Sequence, residues 1–388
     1  MEGAQGSVYE SSKNILRTPN DPFESFVNIP LQDFFPVKNI SLENINQNID
    51  VLHTVYNKIK VDIDRFYNNL IKVYPQGFTP EEEKHIRHAY FLAAISHKDQ
   101  HRDDGSLYLE HPIRVALISL KFPLRPNESA ADRVIQSLCH DVIEDTKINI
   151  QSLAEIIGDK NALGVKLLSK EKEHHYISKI KPKNHPNVSY ADQIELSHSR
   201  NQYNDYMIDL NSELLPAEEI SYRLLQAEKI YLDLLESNTR IRNAAREQRD
   251  IWYYKHIGKS PTNKYSDRID CFATMDCWED ERIIRKIRET VTYLLPTALQ
   301  VNRIAYFTLI SQINSLIQKR NLPISPLASS IDITAHEVIE MRDILRYLPQ
   351  LTNKKHVTKS IEDNGVVLTI LEQNIHEIQD SVQITLCK

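Results

Sequence analysis

"SLCHDVIEDT", residues 137–146, sets one imidazole and three carboxylates into a stretch that otherwise reads largely apolar. His140 and Asp141 are adjacent, and Glu144 and Asp145 follow one helical turn later. On a helix, residues four apart stand above one another, so His140 would align with Glu144 and Asp141 with Asp145. His140 and Asp141 would be about 100° apart around the axis, and both can lean toward one point beside the helix. The stretch is therefore either a wet helix face or one side of a metal site. A histidine nitrogen with an aspartate oxygen suits a first-row divalent ion such as Mn²⁺, Fe²⁺ or Zn²⁺. Glu144 and Asp145 would then hold or deprotonate a water at that ion.

Such a site needs further ligands from other helices. Working outward, His111 opens a helical pattern at "EHPIRVA", and Asp267 interrupts one in "NKYSDRIDCFAT". Each has a bland reading. A His-Asp pair recurs by chance, a His before Pro marks a helix start, and Asp267 beside Arg268 can be a surface ion pair.

The rest of the chain bounds the answer. With 388 residues it can bury a real core, as one large domain or two smaller ones. A hydrophobic share of 41% and a charged share of 26% fit an ordinary soluble protein. A net charge of −6 argues against nucleic acid or an anionic membrane as partner, while leaving room for a local basic pocket. No apolar run approaches the roughly 20 residues that span a bilayer. The opening "MEGAQGSVYESSKN" lacks the basic-then-apolar order of a secretion signal. Cys139, Cys271, Cys277 and Cys387 form no zinc-type or CxxC pair. Reduced thiols and a cytoplasmic location are the expectation.

Only 8 glycines occur, too few for a sheet protein with many tight turns. Long segments instead repeat apolar residues at helical spacing, so the expected class is all-α. Residues 1 to about 45, with four prolines, read as an irregular arm, and a helix is expected over 46–74. Thr79 is the expected N-cap of the next helix, with Pro80 at its first position and acids in its first turn. Helices follow from "HPIRVALISLKF", through "AADRVIQSLCHDVIED" as one piece, and as two short elements over 150–170. Residues 171 to about 215 turn polar and read as an insertion or lid, most of the inserted region being expected as a solvated loop plus one added helix. Helical pattern resumes at about 216–247 and continues over 262–277, 279–294, 297–319 and 335–347. "GVVLTILEQ" and "SVQITLC" would close the chain as a short hairpin.

Four pieces occur in order: "ISHKDQHRDDGSLYLEHPIRVA", "SLCHDVIEDT", "KYSDRIDCFATM" and "RETVTYLLPTA". Together they resemble the hydrolase half of the RelA/SpoT alarmone enzymes and its stand-alone relatives, the small alarmone hydrolases and the metazoan SpoT homologue. The resemblance covers about residues 80–170 and 262–300. It implies an all-helical HD-superfamily fold and Mn²⁺-dependent removal of the 3′-pyrophosphate of guanosine tetra- and pentaphosphate. Carried onto this chain, it makes His111, His140, Asp141 and Asp267 the metal ligands and Glu144 and Asp145 the catalytic pair. Arg102 would pack on the base, with Gly105 and Tyr108 in the loop before the metal histidine. Lys170 would stand near the substrate phosphates and Thr274 beside the base pocket.

On this reading residues 1–75 are an N-terminal extension and 76–300 the hydrolase domain. An insertion falls at about 171–235, and 301–388 form a mostly helical C-terminal extension. The synthetase half of the family is not found after residue 300, so no pyrophosphate transfer from ATP is expected. Three positions depart from the family. Asp103 stands for a lysine or arginine, Cys271 for a base-pocket asparagine, and Leu294 for a tyrosine with Tyr293 beside it. The expected substrate is thus a small-molecule nucleotide, either an alarmone or another such as NADPH at its 2′-phosphate. A non-catalytic nucleotide-binding regulator is the reading from a different class, disfavoured by the complete ligand set. A homodimer is compatible with the sequence.

Overall fold

The computed structural model describes residues 62–353, apart from 147, 182–184, 211–216, 258–260 and 330, together with His356. The N-terminal arm, the first part of the 46–74 helix and the closing hairpin lie outside the described residues. The architecture is all-α. Among the described residues the one β-type pairing is a single bridge between His101 and Leu107. No helix among them is long and apolar enough to cross a membrane.

Residues 62–73 are helical (α1) and lead through a short turn to α2, Pro80–Ser96. Its start follows the capping logic expected. The Thr79 hydroxyl accepts from the Glu82 amide, the Glu82 carboxylate accepts from the Thr79 amide, and Glu81–Glu83 face the positive end of the helix. Then come α3, Glu110–Ser119; α4, Ala130–Cys139; α5, Val142–Asp145; α6, Ile150–Ile157; and α7, Asp159–Leu168. After an inserted region, α11 (Pro261–Ala273) and α12 (Asp280–Glu289) continue the bundle. A π-turn, Thr290–Leu294, then leads into α13, Leu295–Val301. The C-terminal pair is α14, Arg303–Arg320, and α15, Ala335–Thr352.

One apolar core joins these helices. α4 shows why: Ala131, Val134, Ile135 and Leu138 recur at three- and four-residue spacing and are all buried. Arg133 is buried with them because Ser119, Phe122 and Pro123 carbonyls and the Glu128 carboxylate take up its donors. α3 packs on α4 and α11, and α11 packs on α14, so α3 and α11 stand side by side at the centre.

Four expectations are corrected. The helix through "AADRVIQSLCHDVIED" is broken after Cys139, with His140 and Asp141 in the turn before α5. Asp141 relaxes to φ −100°, ψ −4°, a conformation that carries no proline or glycine signature. The helix expected over 279–294 leaves α-geometry at Thr290. Pro296 lacks an amide and its ring crowds the carbonyl four residues back, which a locally wider turn relieves. The helix expected over 297–319 is interrupted at Asn302, whose side chain caps α14 by accepting from the Ala305 amide at 3.0 Å.

The fourth correction concerns the polar insertion, which is ordered. It holds a 3₁₀ helix, Glu173–Lys179, and helices α8, Tyr190–Leu210; α9, Ala217–Ser237; and α10, Thr239–His256. Ile177, Ile180, Val188, Leu196, Tyr231 and Leu234 belong to a second, separate core. Its apolar residues are too sparse for periodicity to reveal α8. A local signal does exist: in "SYAD" the Ser189 hydroxyl accepts from the Asp192 amide and the Asp192 carboxylate accepts from the Ser189 amide.

Candidate metal centre and its cleft

The turn between α4 and α5, the start of α3 and the middle of α11 converge on one point. His111, His140 and Asp267 each aim a ligand-type atom into a space where these atoms lie within 4.8 Å of one another. Asp141 joins them, its Oδ2 standing 3.0 Å from His140 Nε2 and 3.7 Å from His111 Nε2. His111 Nε2 is 3.3 Å from Asp267 Oδ1. The four residues singled out as ligands are therefore neighbours in space, although 156 positions separate His111 from Asp267.

Both imidazoles are held in one tautomer. His140 Nδ1 donates to the Ser137 carbonyl at 2.8 Å, which turns Nε2 toward the cluster as the nitrogen that a metal would take in place of its proton. That Nε2 is buried and makes no well-aligned hydrogen bond, its near neighbour being the Asp141 carboxylate at 3.0 Å. His111 Nδ1 donates to Asp270 Oδ2 at 2.7 Å, so its Nε2 faces inward in the same way. Two imidazole nitrogens and two carboxylates, one nitrogen lacking a well-aligned hydrogen bond, fit a divalent cation by their chemistry.

The electrostatics carry the same signature. Burial would lower the His140 pKa, but Asp141 and Asp267 outweigh it and push it up to about 9 in the metal-free site. Asp267, though buried, is held well below the usual carboxylate range, chiefly by Lys264, whose Nζ stands 2.6 Å from Oδ2. Glu144 and Asp145 are shifted the other way. Burial first, and then the charge of Asp141, raises both above ordinary carboxylates. The Tyr108 hydroxyl ties the two groups together, donating to Asp141 Oδ2 at 2.5 Å and lying 3.1 Å from Asp145 Oδ2. Glu144 Oε2 accepts from the Lys170 amide at 2.9 Å.

The remaining candidates line the same cleft, which has a volume of about 950 Å³. Arg102 donates to the Thr274 hydroxyl at 2.9 Å, so these two form one wall together. The Lys170 ammonium already pairs with Asp250 at 2.9 Å and Glu289 at 2.7 Å. Asp103 pairs with Arg282 at 2.7 Å, and that guanidinium lies 3.7 Å over the Trp278 ring. Leu294 is fully buried, while Tyr293 stacks on Tyr254 at 5.3 Å and lines the cleft.

Several residues escaped the sequence reading. Asp270, Arg114 and Lys264 support the cluster from behind, and nothing in their spacing announces it. Asp270 is fully buried and grips Arg114 through Nε at 2.6 Å. His97 is a buried ring lying 4.6 Å from Tyr108, and burial lowers its pKa to about 4. The inserted helix α10 contributes Asn243, Arg246, Glu247, Arg249 and Asp250 to the cleft wall. In total ten lysines and arginines and ten aspartates and glutamates line the cleft. A divalent ion at the acidic end would leave it net positive.

No known family model matches the chain. Part of it is similar to the bifunctional (p)ppGpp synthase/hydrolase SpoT of Escherichia coli K12, 35% identical over 96 residues, which is 24% of this chain and 13% of that protein. A guanosine-3′,5′-bis(diphosphate) 3′-pyrophosphohydrolase of Aquifex aeolicus is 28% identical over 131 residues, 34% of this chain and 16% of the relative. The matched stretches thus span less than a fifth of these relatives' length, and they relate part of this all-α chain to (p)ppGpp hydrolases.

Proposed function

We propose that the protein is a metal-dependent phosphohydrolase that removes the 3′-pyrophosphate of guanosine tetra- or pentaphosphate, giving GDP or GTP and pyrophosphate. The observation that carries this reading is the convergence of His111, His140, Asp141 and Asp267, with a His140 nitrogen that makes no well-aligned hydrogen bond, at one end of a cleft rich in arginine. Its volume of about 950 Å³ suits a nucleotide. His111, His140, Asp141 and Asp267 would hold the ion, and a nitrogen and oxygen donor set of this kind suits Mn²⁺. When bound, the ion supplies Lewis-acid polarisation of a phosphoryl oxygen and lowers the pKa of water.

The chain's own groups account for the rest. Hydrolysis forms a bond from water to phosphorus, breaks the bond from phosphorus to the 3′ oxygen, and returns a proton to that oxygen. Glu144 and Asp145 stand one turn from the cluster with pKa values raised by burial and by Asp141, the condition for moving a proton near neutral pH. Tyr108 holds the Asp141 and Asp145 carboxylates in register. Arg285 and Arg288 line the cleft and form no ion pair among the described residues, so both are available to substrate phosphates. Asp103, which stands where the family has a cation, is paired with Arg282, so its charge near a polyanionic substrate is offset.

A second reading keeps the chemistry and changes the nucleotide to one such as NADPH, attacked at its 2′-phosphate. It is favoured by Cys271, which lines the cleft as a buried thiol where a base-reading amide is expected. A substrate panel with Mn²⁺, reading pyrophosphate and phosphate release separately, decides between them. Pyrophosphate from guanosine tetraphosphate supports the first reading. Phosphate from NADPH without it supports the second, and neither product overturns both.

A further inference from the structure

We infer that the inserted region builds a second anion subsite in the cleft, made for a phosphoryl group and plugged in this state by the protein's own Asp250. The inference rests on the proposed phosphohydrolase reading, shares with it Lys170, and adds Arg249 and Asp250 of the inserted region, to which that reading gives no part. α10 bridges the two cores: Ile241, Ala244 and Ala245 belong to the inserted one, Tyr253 and Tyr254 to the main one. The middle of the helix, between these two sets, forms the cleft wall.

Three cations meet there. Asp250 Oδ1 lies 2.9 Å from Lys170 Nζ and 3.0 Å and 3.1 Å from Arg249 Nη2 and Nε. Arg249 and Arg246 in turn share Glu173 Oε1, at 3.3 Å and 2.7 Å. Lys170, Arg249 and Asp250 are each less than one-fifth exposed. The seat adjoins the reacting centre, because the Lys170 amide donates to Glu144.

One carboxylate accepting from an ammonium and two nitrogens of one guanidinium reproduces the contacts a phosphoryl group makes. A phosphate offers three acceptor oxygens and up to two charges where Asp250 offers two oxygens and one charge. An incoming pyrophosphoryl or nucleotide phosphate therefore competes with Asp250 for Arg249 and Lys170, the latter also held by Glu289 at 2.7 Å. The insertion thus sets a threshold: strongly charged phosphoryl ligands displace Asp250, and weakly charged ones do not.

The test is inorganic pyrophosphate binding to the full chain by titration calorimetry, with wild type, Asp250→Asn, Lys170→Ala and the double variant. The Asn side chain keeps shape and polarity and removes the competing charge. Asp250→Asn is expected to tighten pyrophosphate binding on the order of tenfold, and the gain should vanish on the Lys170→Ala background. Glu173→Gln, which frees Arg246 and Arg249, should tighten it in the same direction. Unchanged or weaker binding in both charge-removing variants would show that the carboxylates merely brace the cations, and would overturn the inference. Because the readout is pyrophosphate alone, it stays separate from the question of which nucleotide is hydrolysed.

Discussion

Replacing Asp270 by Asn tests the support behind the metal cluster, and its size can be worked from the geometry. Asp270 is fully buried and accepts from His111 Nδ1 at 2.7 Å, Arg114 Nε at 2.6 Å and Arg114 Nη2 at 3.1 Å. Burial favours its neutral form, yet Arg114 and His111 outweigh that and hold it far below the usual carboxylate range. Asn keeps one acceptor oxygen and turns an NH2 group toward a donor. Arg114 is then left with Glu110, 4.0 Å away, and the charge of Asp104 as weaker counter-charges. Breaking a buried ion pair by removing one partner costs about 3–5 kcal/mol. The acceptor oxygen that Asn keeps argues for the lower end, about 3 kcal/mol. His111 also loses the acceptor that fixes its ring, which typically costs 10–100-fold in metal affinity.

The pH dependence follows with a definite sign. A carboxylate whose pKa is depressed by folding adds stability above its unfolded value, near 3.9, and that stability is lost as pH falls through the folded value. The Asn variant should therefore be less stable at pH 7 and lack this part of the acid slope. Urea unfolding at pH 7 and at several acid pH values, with Mn²⁺ titration of the folded variant, measures both effects. A variant within about 0.5 kcal/mol of wild type and with unchanged metal affinity would refute the positioning argument.

Three further outcomes are expected. His140→Ala removes the nitrogen facing the cluster and should abolish Mn²⁺ uptake with helicity retained, read by elemental analysis beside far-UV circular dichroism; wild-type metal content would break the ligand assignment. Glu144→Gln should retain the metal and lose on the order of 10²-fold or more in turnover, and a normal rate would move the proton transfer to Asp145. Asp141 and Asp267 raise the His140 pKa to about 9 without metal, so Mn²⁺ would compete with a proton there. Apparent affinity should rise from pH 6 to 9 with proton release, and a flat profile from calorimetry in two buffers would contradict the electrostatics described.

What was legible in the sequence is what short-range rules write. The α2 start needed only Thr79, Pro80 and the acids that follow, because caps act within one turn. The gathering of His111, His140, Asp141 and Asp267 was anticipated from a motif order, with no physical derivation from spacing. The helix phase used to pair His140 with Glu144 was wrong in detail, since the chain leaves α4 at Cys139. Asp270 and Lys264 were invisible because their value depends on which helix packs against them. On α11 alone they are ordinary charged residues at i+3 and i−3 from Asp267. Next to α3 they become the acceptor for His111 and the counter-charge for Asp267.

The insertion was misread for a different physical reason. Among the residues whose burial is described, α8 offers that core Leu196 and the partly buried Tyr203. Such a helix is marginal alone and is stabilised by its neighbours, α9 against α8 and α10 against the 3₁₀ turn. Polar composition therefore did not mean a solvated loop. It reflects a small core whose surface-to-volume ratio is high, with ion pairs such as Arg246–Glu173 and Lys170–Asp250 at its seam with the main bundle. Those same pairs face the cleft. The charge that made the segment look unstructured is thus the charge that walls the site, and α10 makes the two roles inseparable by running through both cores.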